Sequence, residues 1–250
     1  MEGVKDRVAV VTGAGQGNGR SIALGLARNG AHVAVCDIDG AKAADTAAAI
    51  EALGVRAFAA TVDVSDKAAC AGFATACRER LGEVEILINN AGIIRRQPIG
   101  DEGFDDGWDA LFRVNVDGTR NMLKALLPQL RARRGRVVNL GSIMSVTAGS
   151  GISAYAATKG AILQFTRAMA HELAADGIRV NAIAPGVIAT PMTETTRANA
   201  DAISRFMSHT PLGRVGEPDE LVGPALFLVS EMSSYVTGVL LPVDGGYLTA

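Results

Sequence analysis

The sequence predicts an α/β fold in which a doubly wound parallel sheet of about seven strands carries helices on both faces. Short apolar runs alternate with stretches of helical periodicity, a glycine-rich turn follows the first apolar run, and no Pro- or Ser-rich linker interrupts the chain. We therefore expect one domain over residues 1–250. The strands are expected at residues 7–11, 32–37, 56–62, 84–89, 136–141, 178–183 and 238–242.

The first fifty residues read as a βαβ unit. An apolar strand is followed by a turn that contains Gly13, Gly15, Gly17 and Gly19, then by an amphipathic helix and a second strand. Glycines at such a turn let backbone N–H groups at the helix N-terminus approach a pyrophosphate. The context is typical of a Rossmann-type dinucleotide site, although Asn18 stands where the commonest fingerprint has its third glycine.

Asp37 ends the second strand and indicates which dinucleotide is bound. Its carboxylate can accept hydrogen bonds from the adenosine ribose, and it would repel a 2′-phosphate. Gln16, Gly17 and Asn18 offer no cation for that phosphate. The sequence therefore predicts NAD rather than NADP, the alternative being that Asp37 is only a turn residue before Asp39.

Polar or turn residues follow each of the first six predicted strands. Because the carboxyl ends of parallel strands meet at one edge of a sheet, we expect these residues to share one rim. They are Gly13, Asp37, Asp63, Asn89, Ser142 and Pro185.

Tyr155 and Lys159 are four residues apart in a helical stretch, so their side chains project from one face. A nearby ammonium favours phenolate and lowers the pKa of a tyrosine toward the range useful for acid/base catalysis. On this pair alone, a packed tyrosine beside a solvated lysine is the favoured interpretation.

Taken together, the motifs resemble the short-chain dehydrogenase/reductase family over essentially the whole chain. The matching positions are 12–19, 63–64, 89–92, Asn115, Ser142, 155–159, 185–186 and Thr190. Asn18 departs from the isoleucine that is usual in the family.

The resemblance implies the cofactor site. It places adenine at Asp63 and Val64, ribose at Asn89, Ala91 and Gly92, and the nicotinamide carboxamide at Thr190 with Val187 or Ile188. The complete expected set is Gly13, Gly15, Gln16, Gly17, Asn18, Gly19, Asp37, Ile38, Asp63, Val64, Asn89, Ala91, Gly92, Tyr155, Lys159, Pro185, Gly186, Val187, Ile188 and Thr190.

The resemblance also implies catalytic roles. Tyr155 exchanges the substrate proton, Lys159 lowers the pKa of Tyr155 and binds ribose, and Ser142 bonds the carbonyl or alkoxide oxygen. Ser142 is preferred to Ser145 because the family spacing to Tyr155 is thirteen residues. Asn115 either fixes a water that relays protons from Lys159 or is a buried residue that satisfies backbone groups.

Arg95 and Arg96 follow the 89–92 loop near the expected rim. Arginine recognises carboxylates and phosphates, and the segment NNAGIIRR resembles the branch of the family that oxidises sugar acids. The alternative is that both pair at the surface with Asp101, Asp105 or Asp106. Segments 149–153 and 192–207, the second as a mobile lid, are expected to complete the substrate site, with Met144, Ile152 and Met192 among its walls.

Composition narrows the function class. Net charge is -2, and the basic run at 131–136 reads as a solvated helix end, so no nucleic-acid partner is expected. The three histidines lack metal-ligand spacing, and the three cysteines read as reduced, so no metal is expected. No apolar run approaches a membrane span and no leader is evident, which predicts a cytoplasmic protein.

The expected protein is thus an NAD-dependent oxidoreductase for a secondary alcohol or ketone of a small molecule, with a sugar acid or polyol as its substrate class. A 3-oxoacyl carrier-protein reductase and a non-catalytic NAD-binding regulatory protein are the alternatives. Small residues on the helix after Tyr155 would allow a helix of a second copy to approach closely. Because the family uses such helices at its interfaces, the resemblance implies a homotetramer.

Overall fold

The structure is a computed structural model that describes residues 1–249; the last residue of the predicted domain, 250, lies outside the described residues. It contains one seven-stranded sheet with the order β3-β2-β1-β4-β5-β6-β7, in which every neighbouring pair is parallel. The predicted doubly wound α/β fold is confirmed. The strands are β1 Val8–Thr12, β2 His32–Asp37, β3 Ala57–Thr61, β4 Ile86–Asn89, β5 Arg136–Leu140, β6 Arg179–Pro185 and β7 Leu240–Val243.

Each predicted strand is present, and the differences are at the ends. β4 begins at Ile86, two residues after the predicted start, and β6 continues to Pro185, two residues beyond the predicted end. The extension of β6 is possible because Pro185 pairs with Val243 of β7 at the last position of the strand, where a missing N–H does not interrupt the ladder.

Helices cover both faces of the sheet. The α-helices are α1 Gly17–Arg28, α2 Gly40–Glu51, α3 Lys67–Leu81, α4 Phe104–Leu111, α5 Gly118–Arg133, α6 Ser153–Glu172, α7 Glu194–Ala198, α8 Ala200–Ser208 and α9 Val222–Val229. One apolar core joins the sheet to α1, α2 and α9. A second apolar core joins the opposite face of the sheet to α3, α5 and α6.

α1 packs closely on α9 through a glycine. A Cβ atom added to Gly25 would lie only 2.2 Å from Val222 Cγ1, well inside van der Waals contact. This close approach seats α1 firmly against its neighbour and so fixes the direction in which its N-terminus points.

The three cysteines are buried free thiols. Burial raises the pKa of Cys70 to about 11 and that of Cys77 to about 12, so neither is a reactive thiolate. Among residues 1–249, no helix is long and apolar enough to cross a membrane, and no group of three or more His, Cys, Asp or Glu residues could hold a metal ion.

Candidate active site

The turn after β1 is tied to the end of β4 by side chains of both segments. Thr12 Oγ1 accepts hydrogen bonds from the backbone N–H groups of Asn90 and Ala91, each at 3.0 Å. The Asn90 amide donates in return to the carbonyl oxygens of Thr12 at 2.9 Å and Gly13 at 2.8 Å. These bonds fix the crevice between β1 and β4, where the strand order reverses and folds of this kind bind ligands.

The N-terminus of α1 presents backbone donors to this crevice. Its N-cap residue, Gln16, makes no side-chain capping bond, and its first turn contains no acidic residue. The first turn of the helix lies very close to the preceding loop: a Cβ atom on Gly19 would be only 2.3 Å from the Gly13 carbonyl oxygen. The N–H groups and the positive end of the helix dipole therefore suit an anionic group such as a pyrophosphate.

Asp37 borders one end of a cleft of about 300 Å³. Its Oδ2 accepts the Gly15 N–H at 2.9 Å and its Oδ1 accepts the Asp39 N–H at 3.0 Å, which hold the carboxylate at the strand end. Ile38 lies beside it and is 73% exposed, a large apolar surface at the edge of a polar cleft. Asp63 and Val64 line the same cleft, together with Val62, which sequence analysis missed.

Asn89 occupies a different position from the expected one. Its side chain is buried, and its amide donates to Asn139 Oδ1 at 2.9 Å, so it bonds β5 beneath the rim. Asn90, Ala91 and Gly92 line the cleft instead. The physical reason is strand alternation, which turns one asparagine of the Asn-Asn pair inward and leaves the next at the crevice.

Ser142, Tyr155 and Lys159 come together in an adjoining pocket of about 90 Å³. Lys159 Nζ donates to the Leu140 carbonyl oxygen at 2.7 Å and lies 5.7 Å from the centroid of the Tyr155 ring. Ser145 turns away, because its hydroxyl accepts the Ser142 N–H at 3.2 Å in the turn after β5. Of the two serines, Ser142 is thus the one that lines the pocket.

Burial has the largest effect on the pKa values of the two ionisable groups in the pocket. Burial raises the pKa of Tyr155, while the Ser142 hydroxyl and the positive charge of Arg96 act to lower it. Burial also lowers the pKa of Lys159 to about 8. The expected lowering of the Tyr155 pKa by Lys159 is not seen: Lys159 is not among the groups that lower it, and loss of solvation outweighs the favourable contributions.

Asn115 lies in a π-helical segment, Phe112–Asp117, that joins α4 to α5. Its Oδ1 accepts the Ile93 N–H at 2.8 Å, and its Nδ2 donates to the Ile93 carbonyl at 3.0 Å and to Thr158 Oγ1 at 3.1 Å. The side chain thus satisfies backbone groups of the loop after β4 and connects that loop to α6. Sequence analysis missed the π-helix, a form that occurs frequently at functional sites.

The end of β6 and the loop after it supply a further part of the pocket lining. Four of the predicted residues line the pocket, namely Pro185, Gly186, Ile188 and Thr190. Val187 instead lines a different cavity of about 550 Å³. Thr193, which sequence analysis missed, also lines the pocket and accepts the Thr190 N–H at 3.3 Å, holding the loop in place.

Arg95 and Arg96 point in different directions. Arg96 donates to the hydroxyl of Thr196 on α7, and its charge reaches Tyr155. The Arg95 side chain lies against α4, with its Cδ 3.4 Å from the position of a Cβ built on Gly107. In the described part of the chain, neither arginine forms the predicted alternative salt bridge with an aspartate of segment 101–106.

Apolar side chains surround Tyr155. Met144 and the partly buried Ile152 pack in this cluster, while Met192 is 42% exposed and lines both the cleft and the pocket. Phe206 of α8 joins the same cluster, as do Tyr247 and Leu248 near the C-terminus. Sequence analysis missed the C-terminal pair because apolar residues at a chain end carry no motif; only their packing reveals them.

Comparison with known proteins agrees with this geometry. The sequence model described as enoyl-(acyl carrier protein) reductase matches residues 13–248. The fold, the family match and the dehydrogenases similar to this chain define an oxidoreductase that acts on a CH–OH group with a nicotinamide cofactor. The chain belongs to the short-chain dehydrogenase/reductase family.

Among individual proteins, the chain is similar to enzymes of sugar acids. Gluconate 5-dehydrogenase of Gluconobacter oxydans is 42% identical over 240 residues, covering 95% of this chain and 93% of the relative. The 2-dehydro-3-deoxy-D-gluconate 5-dehydrogenase of Dickeya dadantii is 37% identical over 250 residues, covering 98% and 96%. A gluconate 5-dehydrogenase structure from Burkholderia cenocepacia, in complex with NADP and tartrate, has a TM-score of 0.93 at 39% identity, covering 98% of this chain and 96% of that one.

The lowered pKa of Lys159 predicts a pH dependence of stability. The folded chain releases this proton near pH 8, whereas an unfolded lysine holds it to about 10.5, so the unfolded state binds more protons between these values. Stability therefore rises with pH across that window. From pH 8 to pH 10, the free energy of unfolding of the wild type should rise relative to that of Lys159→Met by roughly 2 kcal/mol.

Urea titrations of both proteins at the two pH values, without added cofactor, measure this difference. Lys124→Met, which removes an exposed lysine of α5, is the matched control and should follow the wild type. Parallel pH dependences for the wild type and Lys159→Met would mean that Lys159 keeps its ordinary pKa in the pocket.

Proposed function

We propose that the protein is an NAD-dependent dehydrogenase that interconverts a secondary alcohol and a ketone on a small anionic substrate of the sugar-acid type. The observation that carries the proposal is that Ser142, Tyr155 and Lys159 line one pocket. This pocket adjoins the cleft that Asp37 lines. The three side chains supply acid/base chemistry, and the cleft supplies a place for a dinucleotide.

The proposed roles follow from the groups present. In alcohol oxidation, Tyr155 acts as a phenolate that takes the hydroxyl proton and becomes the neutral phenol. In ketone reduction, the neutral phenol donates that proton to the oxygen and becomes the phenolate. Ser142 donates a hydrogen bond to the same oxygen, which stabilises the developing alkoxide charge. The cofactor, when bound, accepts or supplies the hydride at the carbinol carbon. Lys159 adds positive charge beside Tyr155, and the buried surroundings strengthen that interaction.

NAD, rather than NADP, is proposed on the residues around the adenosine end. Asp37 would meet a 2′-phosphate with a negative charge, and neither Gln16 nor Ile38 offers a compensating cation. Lys42, whose Cβ lies against Gly15, is paired through its ammonium with Asp39 Oδ2 at 3.1 Å. Several relatives of known structure contain NADP, among them the gluconate 5-dehydrogenase of Burkholderia cenocepacia, so the cofactor preference of this chain is tested directly.

We expect NADH to bind at least about tenfold more tightly than NADPH, a difference of roughly 1.4 kcal/mol, and NAD to exceed NADP by a similar factor in catalytic efficiency. Asp37→Asn keeps an acceptor for the Gly15 N–H but removes the charge, so it should reduce this preference. Titration of nicotinamide fluorescence measures both constants.

Asp45→Asn, at an exposed position of α2, is the matched control because it removes the same charge away from the cleft. Equal affinity of the wild type for NADH and NADPH would refute the cofactor assignment. If Asp37→Asn kept the wild-type preference for NADH over NADPH, a residue other than Asp37 would be responsible for that preference.

Arg96 is proposed as the recognition group for the substrate anion. It lies close enough for its charge to act on Tyr155, and the similarity to gluconate 5-dehydrogenases favours a carboxylated substrate. A guanidinium matches the planar geometry of a carboxylate and binds it through a charge-assisted hydrogen bond. Met144, Ile152 and Met192 are proposed as apolar walls around the substrate carbon chain.

The Arg96→Ala variant should raise the KM for gluconate by roughly ten- to a hundredfold, because a charge-assisted hydrogen bond contributes about 1.5 to 3 kcal/mol. The KM for glucitol, the neutral counterpart, should change much less. Arg95→Ala is the matched control, since that side chain lies against α4.

The ratio of the two KM values is the informative quantity, because loss of the Arg96 charge also alters Tyr155 and affects turnover of both compounds. An unchanged ratio in Arg96→Ala would remove the anion-binding assignment. A changed ratio in Arg95→Ala would move that assignment to Arg95.

The alternatives have weaker support. A 3-oxoacyl carrier-protein reductase would normally use NADP, against which Asp37 argues. A regulatory protein that only binds NAD would have no need of Ser142, Tyr155 and Lys159 in one pocket.

The proposal includes a homotetramer in the cytoplasm. Half-exposed small residues lie along α6, among them Ala157, Gly160 and Ala161, and a Cβ on Gly160 would meet no atom within 4 Å. Such a surface allows a helix of a second copy to approach closely. The buried reduced thiols are compatible with a reducing compartment.

A further inference from the structure

Asn18 is a polar residue at the junction between the two parts of the site. It is the second residue of α1, and it lines both the cleft that contains Asp37 and the pocket that contains Tyr155. A ligand that extends from one compartment to the other must pass this side chain.

The Asn18 carboxamide has no hydrogen-bond partner in the part of the chain that the structure describes. Its Oδ1 is fully buried without a donor, whereas its Nδ2 is not among the buried unpaired atoms and so remains accessible from the site. An amide held in this way carries a free donor, and leaving such a donor unsatisfied under a bound ligand would be costly.

The group that meets this donor should be an acceptor. The adjacent α1 N-terminus offers uncapped backbone N–H groups and no carboxylate in its first turn, which selects for an anion at the same place. A pyrophosphate has acceptor oxygens and no donor, so it can accept hydrogen bonds from both the backbone N–H groups and the Nδ2 donor of Asn18.

We propose that the Asn18 side chain donates a hydrogen bond to the pyrophosphate of the bound dinucleotide, adding a side-chain donor to the backbone donors of the glycine turn. The inference rests on the proposed function only in requiring that the chain bind a dinucleotide. Its consequence is that Asn18 sets affinity through the part of the cofactor that NAD and NADP share, independently of Asp37.

The test compares ligands that contain or lack the pyrophosphate. Dissociation constants for NADH, ADP-ribose, ADP and AMP are measured by calorimetry or by competition with NADH fluorescence. Asn18→Leu, of similar size but without a donor, should weaken NADH, ADP-ribose and ADP by about tenfold, as expected for one hydrogen bond to a charged group, and leave AMP within about twofold.

Asn18→Asp keeps the shape of the side chain and replaces the donor by a negative charge, so it should weaken the three pyrophosphate ligands more than Asn18→Leu does. This isosteric variant separates the loss of a donor from a change in packing. Thr75→Asp introduces a negative charge at an exposed position of α3 that lines neither the cleft nor the pocket, and it should leave all four constants unchanged. Circular dichroism and melting temperature check that each variant is folded.

The outcomes separate the two proposals. Failure of the wild type to bind NADH and ADP-ribose would overturn the proposed function and this inference together. Wild-type binding with Asn18 variants that match it would overturn the inference alone. Loss for NADH and ADP-ribose but not for ADP would also overturn it, because the donor would then serve the nicotinamide-side ribose.

Discussion

The junction between β1 and β4 is the constraint on which the site depends. Thr12 and Asn90 form hydrogen bonds across it, and these bonds connect the turn after β1 to the loop after β4. The junction lies at the point where the strand order reverses, so helices from the two halves of the sheet diverge and leave a crevice. The donors at the start of α1 and the pocket at Tyr155 occupy that one crevice because the sheet brings all its carboxyl ends to one rim.

The proposed chemistry depends on the burial of the three polar side chains in the pocket. Tyr155, Lys159 and Ser142 are each less than one-tenth exposed, and burial favours the neutral forms of both the phenol and the amine. The positive charge of Arg96 opposes this effect on Tyr155. Arg96 also donates a hydrogen bond to Thr196 of α7. This arginine thus connects the loop after β4 to the segment after β6 and places its charge near Tyr155.

Much of this arrangement could be predicted because it is written in local patterns. The strand-turn-helix start, the position of Asp37 and the Tyr155 and Lys159 spacing are all properties of a few consecutive residues. The features that escaped prediction depend on distant contacts. Asn90 rather than Asn89 faces the crevice because of strand register, and Asn115 bonds Ile93 through a π-helix that no spacing rule predicts. Arg95 and Arg96 likewise point in different directions because Arg95 packs on α4 and Arg96 bonds α7. No short sequence motif predicts either contact.

The most direct test of the account is the effect of Tyr155→Phe on turnover and on cofactor binding, measured together. A screen of NAD reduction at 340 nm over sugar acids, polyols, hydroxysteroids and simple secondary alcohols first identifies a substrate for the wild type. Tyr155→Phe removes the exchangeable proton and keeps the ring, so turnover should fall by about a hundredfold or more while NADH still binds. Retained turnover in a folded Tyr155→Phe protein would contradict the central claim that this pocket performs the reaction.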